Sequence, residues 1–141
     1  MRILFICKNN ASRSQMAVGF LKKYSKKHVG FSAGTAPASE GKVGRPPTYE
    51  TMEEMKDIGI DISKYRRTQL RYKLAENADR IIVIMTKGQT RLLLPKYIKN
   101  NKAVSYWYVI DPQKTDRKSI ILARDKVDKL VKALVRDIDK A

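Results

Sequence analysis

Ile3-Leu4-Phe5-Ile6-Cys7-Lys8-Asn9-Asn10-Ala11-Ser12-Arg13-Ser14-Gln15-Met16 decides how the rest of the chain is read. It begins as a short apolar run, the signature of a fully buried strand. It ends in a helical pattern that puts Met16, Ala17, Phe20, Leu21 and Tyr24 on one face. Between them lies a polar loop, opened by the chain's one cysteine and closed by Arg13 and Ser14. A loop that joins a buried strand to a helix N-terminus presents N–H groups with no intrahelical partner, and the helix dipole adds positive potential. Such a nest binds tetrahedral anions. Cys7 stands at its mouth, where the N–H dipoles and the Arg13 guanidinium favour the thiolate. Arg13 is placed to grip two anion oxygens in a fork. Ser14 is placed to donate to the sulfur. Asn9 and Asn10 tolerate the left-handed backbone that a tight loop needs. A lone cysteine after a buried strand is otherwise a small core residue. The Cys-x5-Arg-Ser spacing between strand and helix turns the reading towards a nucleophile.

That spacing resembles the signature of the low-molecular-weight protein tyrosine phosphatases and the related thioredoxin-type arsenate reductases. The similarity continues in order along the chain. Ser32-Ala33-Gly34-Thr35 resembles the motif on the second strand, and Met55 to Ser63 the segment after the second helix. Ala78-Asp79 and Ile81 to Met85 resemble the third strand, and Asp111-Pro112 the general-acid loop. Arg13-Ser14-Gln15-Met16-Ala17 is nearer the arsenate reductase branch, because the phosphatase branch usually has proline in place of Gln15. Val18 stands where the family commonly has an acidic residue.

Composition sets the frame. The chain has 141 residues, enough for one domain with a real core. No apolar run approaches a membrane span of ~20 residues, and the opening run is too short for a secretory leader. A single cysteine offers no disulfide framework, which suits a reducing cytoplasm. One Cys and one His, His28, make no metal cluster, so neither metal nor cofactor is expected. His28 reads as a surface turn residue. The net charge of +16 favours anionic partners. Its lysines and arginines are scattered, however, with only short runs such as Tyr65-Arg66-Arg67. That pattern fits solvated helix faces better than a dedicated nucleic-acid surface.

The pattern predicts a first helix over 14–26, a strand over 29–33, and a loop over 34–47 rich in glycine and proline. A second helix over 48–58 follows, with Pro47 in its first turn, Tyr49, Met52 and Met55 on its apolar stripe, and Gly59 as its stop. A short helix over 68–77 comes next, then a buried strand over 80–85. Thr86-Lys87-Gly88-Gln89 has capping-box spacing, so a helix runs to Leu94. A strand over 103–108 delivers Asp111-Pro112 at the same sheet edge as Cys7. The last helix covers 119–139. Alternating strands and helices imply an α/β domain over 1–141 with a four-stranded parallel sheet and helices on both faces. The strand order 2-1-3-4, in three layers, is implied by the resemblance.

The resemblance implies chemistry as well. Cys7 attacks phosphorus, Arg13 and the loop of Lys8, Asn9, Asn10, Ala11 and Ser12 hold the phosphate, and Asp111 is the general acid. Asn10 and Ser14 support the thiolate and the loop. The substrate is a phosphorylated protein, phosphotyrosine above all, or a small aryl phosphate. Arsenate has the same tetrahedral shape, and its reduction is the alternative. Thioredoxin-linked reductases carry two further cysteines after the third strand, and Val83 to Gln89 holds none, so only an external thiol or redoxin would serve. The phosphatase branch often has aromatics on the loop over 34–47 and after Pro112. This chain has none before Tyr49, and Gln113-Lys114 after Pro112. A reading of another class is an idle descendant whose basic surface binds RNA or an acidic protein.

Overall fold

A computed structural model of the chain describes residues 1–112 and 116–140. Four strands, β1 (Arg2–Cys7), β2 (Val29–Gly34), β3 (Arg80–Met85) and β4 (Val104–Tyr108), form one parallel sheet in the order β2-β1-β3-β4. β1 is therefore central, which is why Ile3 to Ile6 are fully buried. Successive side chains of a strand point to opposite faces, and this strand feeds two cores. Ile3 and Phe5 face α1 (Arg13–Tyr24) and α6 (Arg117–Lys140), packing with Met16, Phe20, Val127 and Val131. Leu4 and Ile6 face the other way, towards Leu70, Ala75, Leu94 and Ile98. Those four belong to or flank α3 (Tyr72–Glu76), α4 (Lys87–Leu93) and α5 (Lys96–Lys99). Each fully buried aliphatic or aromatic side chain contributes ~1.5–3 kcal/mol. The loop after β1 is thus carried by the most deeply anchored strand.

α6 buries Ile120, Ala123, Val127, Val131, Leu134 and Ile138 on one stripe. α2 (Tyr49–Lys56) lies against it, and the buried Glu54 accepts two bonds from Arg117 Nε at 2.9 and 3.0 Å. The chain leaves α2 through Gly59 at φ +82°, with Ile60 N donating back to Met55 O. None of the helices is long and apolar enough to cross a membrane, among the described residues.

Several element bounds differ from those the pattern predicts. α1 begins at Arg13 and ends at Tyr24. Pro47 lies one residue before Thr48, the N-cap of α2, and Tyr49 is exposed rather than on the buried stripe. The helix expected over 68–77 keeps only Tyr72–Glu76. The backbone before it is committed elsewhere. Gly34 N donates to Thr68 O, Leu70 N to Gly34 O, and Thr68 N to the Asn10 side chain. Pro95 ends one helix and caps the next. His28 is more than a turn residue: its Nδ1 contacts the N-terminal amine at 3.0 Å and its Nε2 contacts Asp139 at 2.7 Å. Asp139 is held below the usual carboxylate range, chiefly by that contact. Val18 is half-buried against the core.

Candidate active site

The loop between β1 and α1 has its carbonyls tied outward. Cys7 O accepts from Thr35 N, Lys8 O from Ala36 N, Ala11 O from Thr48 N, and Asn10 O from Gln15 Nε2. In a planar trans peptide the following N–H points opposite to the carbonyl. Fixing these carbonyls to the scaffold therefore turns the N–H groups of Lys8, Asn9, Ala11 and Ser12 towards the cleft. Asn10 sits at φ +55°, the left-handed turn that the loop needs. Its side chain holds both sides of the bend. Oδ1 accepts from Thr68 N at 2.8 Å and Nδ2 donates to Ser14 Oγ at 2.7 Å. Gly34 lies against the back of the loop, where an added Cβ would come within 2.8–2.9 Å of Lys8 O, Asn10 N and Asn9 C.

Cys7 Sγ and Ser14 Oγ are 2.9 Å apart. Because Asn10 already donates into the Ser14 oxygen, the hydroxyl hydrogen is available to the sulfur. Cys7 is the one cysteine of the chain and is 2% exposed. Arg13, buried to 1% exposure, enters from the first turn of α1. Its Nη1 donates to Gln89 Oε1 at 2.9 Å and to Val109 O at 3.1 Å, and its Nη2 lies 3.2 Å from Asp111 Oδ2. Asp111, a third exposed, follows β4 at the carboxyl edge of the sheet. Cys7, Asn9, Ala11, Ser12, Arg13 and Asp111 thus line one cleft of about 50 Å³, with Thr48 and Thr51 on its wall. That is more than a single water needs.

The remaining expected residues fall around this cleft. Lys8 reaches outward to Glu40 at 4.0 Å, and Asn9 Oδ1 is buried with no hydrogen-bond partner among the described residues. Ser12 Oγ accepts from Thr51, which accepts from Thr48. Gln113 and Lys114, which stand where the phosphatase branch often has aromatics, lie outside the described residues.

Two further residues matter that pattern reading did not single out for the site. Gln15 donates to Asn10 O and Arg66 O and accepts from Ser32 Oγ, clasping the loop to β2. Gln89 completes the capping box at Thr86, and it also joins Arg13 to Asp111. Its Oε1 accepts from Arg13 and its Nε2 donates to Asp111 Oδ2 at 2.9 Å. Only the capping half of that role has a local sequence signal.

Comparison with known proteins agrees with this arrangement. The profile of the family described as low molecular weight phosphotyrosine protein phosphatase matches residues 2–141. An arsenate reductase of Halalkalibacterium halodurans is 31% identical over 136 residues, covering 92% of this chain and 91% of that protein. A glutaredoxin arsenate reductase of Synechocystis sp. is 28% identical over 137 residues, covering 97% and 98%. Among solved structures, a low molecular weight protein tyrosine phosphatase from T. tengcongensis superposes with a TM-score of 0.82 at 27% identity, covering 97% and 99%.

Proposed function

We propose that this chain, which belongs to the low molecular weight phosphotyrosine protein phosphatase family, hydrolyses phosphomonoesters through a cysteinyl-phosphate formed on Cys7. The observation that carries the reading is the position of Asp111. A carboxyl beside Arg13 in the cleft of Cys7 stands where a leaving oxygen must depart. In this proposal the substrate phosphate enters the nest and takes over the arm of Arg13 that faces Asp111. The Cys7 thiolate attacks phosphorus in line as the ester P–O bond breaks, and Asp111 gives its proton to the leaving oxygen. Arg13 and the loop N–H groups hold the equatorial oxygens in the transition state. Water then attacks phosphorus, Asp111 takes its proton, and the P–S bond breaks to return the thiolate and free phosphate.

The phosphate sits in the cleft, and an aryl group, such as the tyrosine of a phosphoprotein, extends towards its mouth. A mechanism built on one free thiol suits a reducing compartment, and we assign the protein, as one domain, to the cytoplasm. The likeness to arsenate reductases favours a second reading, reduction of arsenate. With Cys7 as the one cysteine, the arsenic–sulfur adduct would need an external thiol or a redoxin to resolve it.

The test is release of p-nitrophenol from its phosphate ester in chelator, for wild type, Cys7→Ser and Asp111→Asn. The proposal expects turnover that vanishes in Cys7→Ser and falls sharply in Asp111→Asn. A wild type that binds phosphate or arsenate without turnover would move the assignment to thiol-coupled arsenate reduction.

A further inference from the structure

The described residues bury three charged side chains: Arg13, Glu54 and Arg67. Two of them meet an opposite charge, Arg13 on Asp111 and Glu54 on Arg117. Arg67 does not. It is 7% exposed, and its one side-chain hydrogen bond among the described residues runs from Nε to Pro46 O at 3.0 Å. No carboxylate among them lies within ion-pair distance of it. Its titratable neighbours are Arg45, Glu40 and Cys7, and Glu40 is already the partner of Lys8. Burial, and then the like charge of Arg45, hold this guanidinium below its ordinary range. A largely buried cation beside another cation is costly unless water or an anion meets it.

The backbone fixes where this cation stands. Arg67 N donates to Arg45 O and Gly44 N donates to Arg67 O, so the two segments run side by side. The next residue, Thr68, donates to Asn10 of the anion loop. Arg67 is thereby tied to the loop's outer wall, on the side where Ala36 N holds Lys8 O. The scaffold places a second cationic group beside the wall of the first anion site, and among the described residues the one hydrogen bond of its side chain is made by Nε.

We propose that Arg67, with the exposed Arg45, forms a second anion subsite beside the wall of the cleft, next to Pro46 and the Asn10 turn, which takes a further carboxylate or phosphate carried by the same substrate molecule. This rests on the phosphatase reading for what occupies the main nest. The ligand class is a doubly anionic phosphate monoester: a phosphopeptide with Glu or Asp beside the phosphorylated residue, or a small bisphosphate. Hydrogen bonds to a charged group of this kind correspond to a preference of ~10-fold or more.

The test is titration calorimetry on the wild-type chain with non-hydrolysable phosphonate peptides. The peptides carry Glu, Ala or Lys on either side of a phosphonomethyl-phenylalanine, and a benzylic mono- and bisphosphonate pair is run beside them. The expected result is binding of the Glu peptide ~10-fold tighter than the Ala peptide, with Lys weakest, and a ratio near one in both Arg67→Gln and Arg45→Gln. Each variant's own Ala peptide is its reference, so a general loss of affinity does not imitate the effect. Arg45 is exposed, which keeps the second variant clear of folding defects. If only the bisphosphonate shows the preference, the anion is a phosphate of a small molecule. Equal affinity for Glu and Ala peptides and for the mono- and bisphosphonates in wild type overturns the subsite. Because the readout is binding, a chain without phosphatase turnover would refute the function and still leave this preference to be read.

Discussion

Replacing Gln89 by Met separates two contributions that the structure joins in one side chain. Methionine keeps the length and removes the acceptor for Arg13 Nη1 and the donor to Asp111 Oδ2, each at 2.9 Å. It also removes the acceptor for Thr86 N, one half of the capping box. Hydrogen bonds to charged groups contribute ~1.5–3 kcal/mol each, but the two bonds act on different steps. Loosening Arg13 weakens the grip on the equatorial oxygens of every substrate alike. Loosening Asp111 harms only leaving groups that need a proton, for which general acid catalysis contributes ~10²–10⁴-fold. The expected outcome is a loss in kcat/KM of ~10-fold for 2,4-dinitrophenyl phosphate, whose phenolate departs unaided, and ~100-fold or more for phenyl phosphate. Gln89→Glu sharpens the contrast. It retains an acceptor for Arg13 but sets a carboxylate against Asp111, so its loss should fall almost wholly on phenyl phosphate. The cost of the cap, ~1 kcal/mol, is read separately by urea unfolding. Equal losses for both esters would show that Gln89 acts through Arg13 alone. No loss for either would show that the bridge between Arg13 and Asp111 has no part in turnover.

Three other outcomes follow from single contacts. Gly34→Ala sets a Cβ within 2.8–2.9 Å of three backbone atoms of the anion loop, so phosphate, read as a competitive inhibitor, should bind at least ~10-fold more weakly for a ~1.4 kcal/mol distortion. Asn10→Ala places a Cβ residue at φ +55° and removes both side-chain bonds. Asn10→Gly removes the bonds but not the conformation, so it should unfold in urea with about 1 kcal/mol more stability than the alanine variant. The Tyr24 hydroxyl donates to Asp128, and burial followed by that carboxylate pushes its pKa up to about 12 from 10.0. A raised folded-state pKa means the stabilisation is complete below pH 10 and is lost as the pH climbs towards 12. Tyr24→Phe should flatten that part of the stability profile, and an unchanged slope between pH 10 and 12 would refute the assignment.

The strand, loop and helix over residues 2–24 were legible because every cue there is local: an apolar run, a polar break and a 3.6-residue stripe. Asp111 was legible by resemblance and by its position after a strand that ends at the same sheet edge as Cys7. What could not be read locally is what the chain does at a distance. Thr68 and Leu70 look helical, but their backbone groups are taken by Asn10 and Gly34, more than thirty residues away. Gln89 has a legible role at Thr86 and an illegible one between Arg13, 76 residues before it, and Asp111, 22 residues after it. Arg67 stands in a short basic run that reads as solvated surface, and its burial depends on the loop over residues 44–46 folding across it.

The choice between hydrolysis and arsenate reduction turns on the second half of the reaction, since a nest of N–H groups and one guanidinium does not distinguish phosphate from arsenate. In the hydrolytic route the Cys7 adduct is resolved by water, which reaches a nearly buried sulfur through a cleft of about 50 Å³. In the reductive route a thiol must approach the same adduct. The internal solution would place cysteines after β3, and in this chain that segment carries Thr86 and Gln89 instead. Those residues hold the proposed general acid: Thr86 caps α4 through Gln89, and Gln89 donates to Asp111. A thiol from outside would have to reach the same sulfur past the residues that line the cleft, Thr48, Thr51 and Pro112 among them. The segment that would serve reduction instead supports the proposed proton donor, and that is the physical ground for placing hydrolysis first.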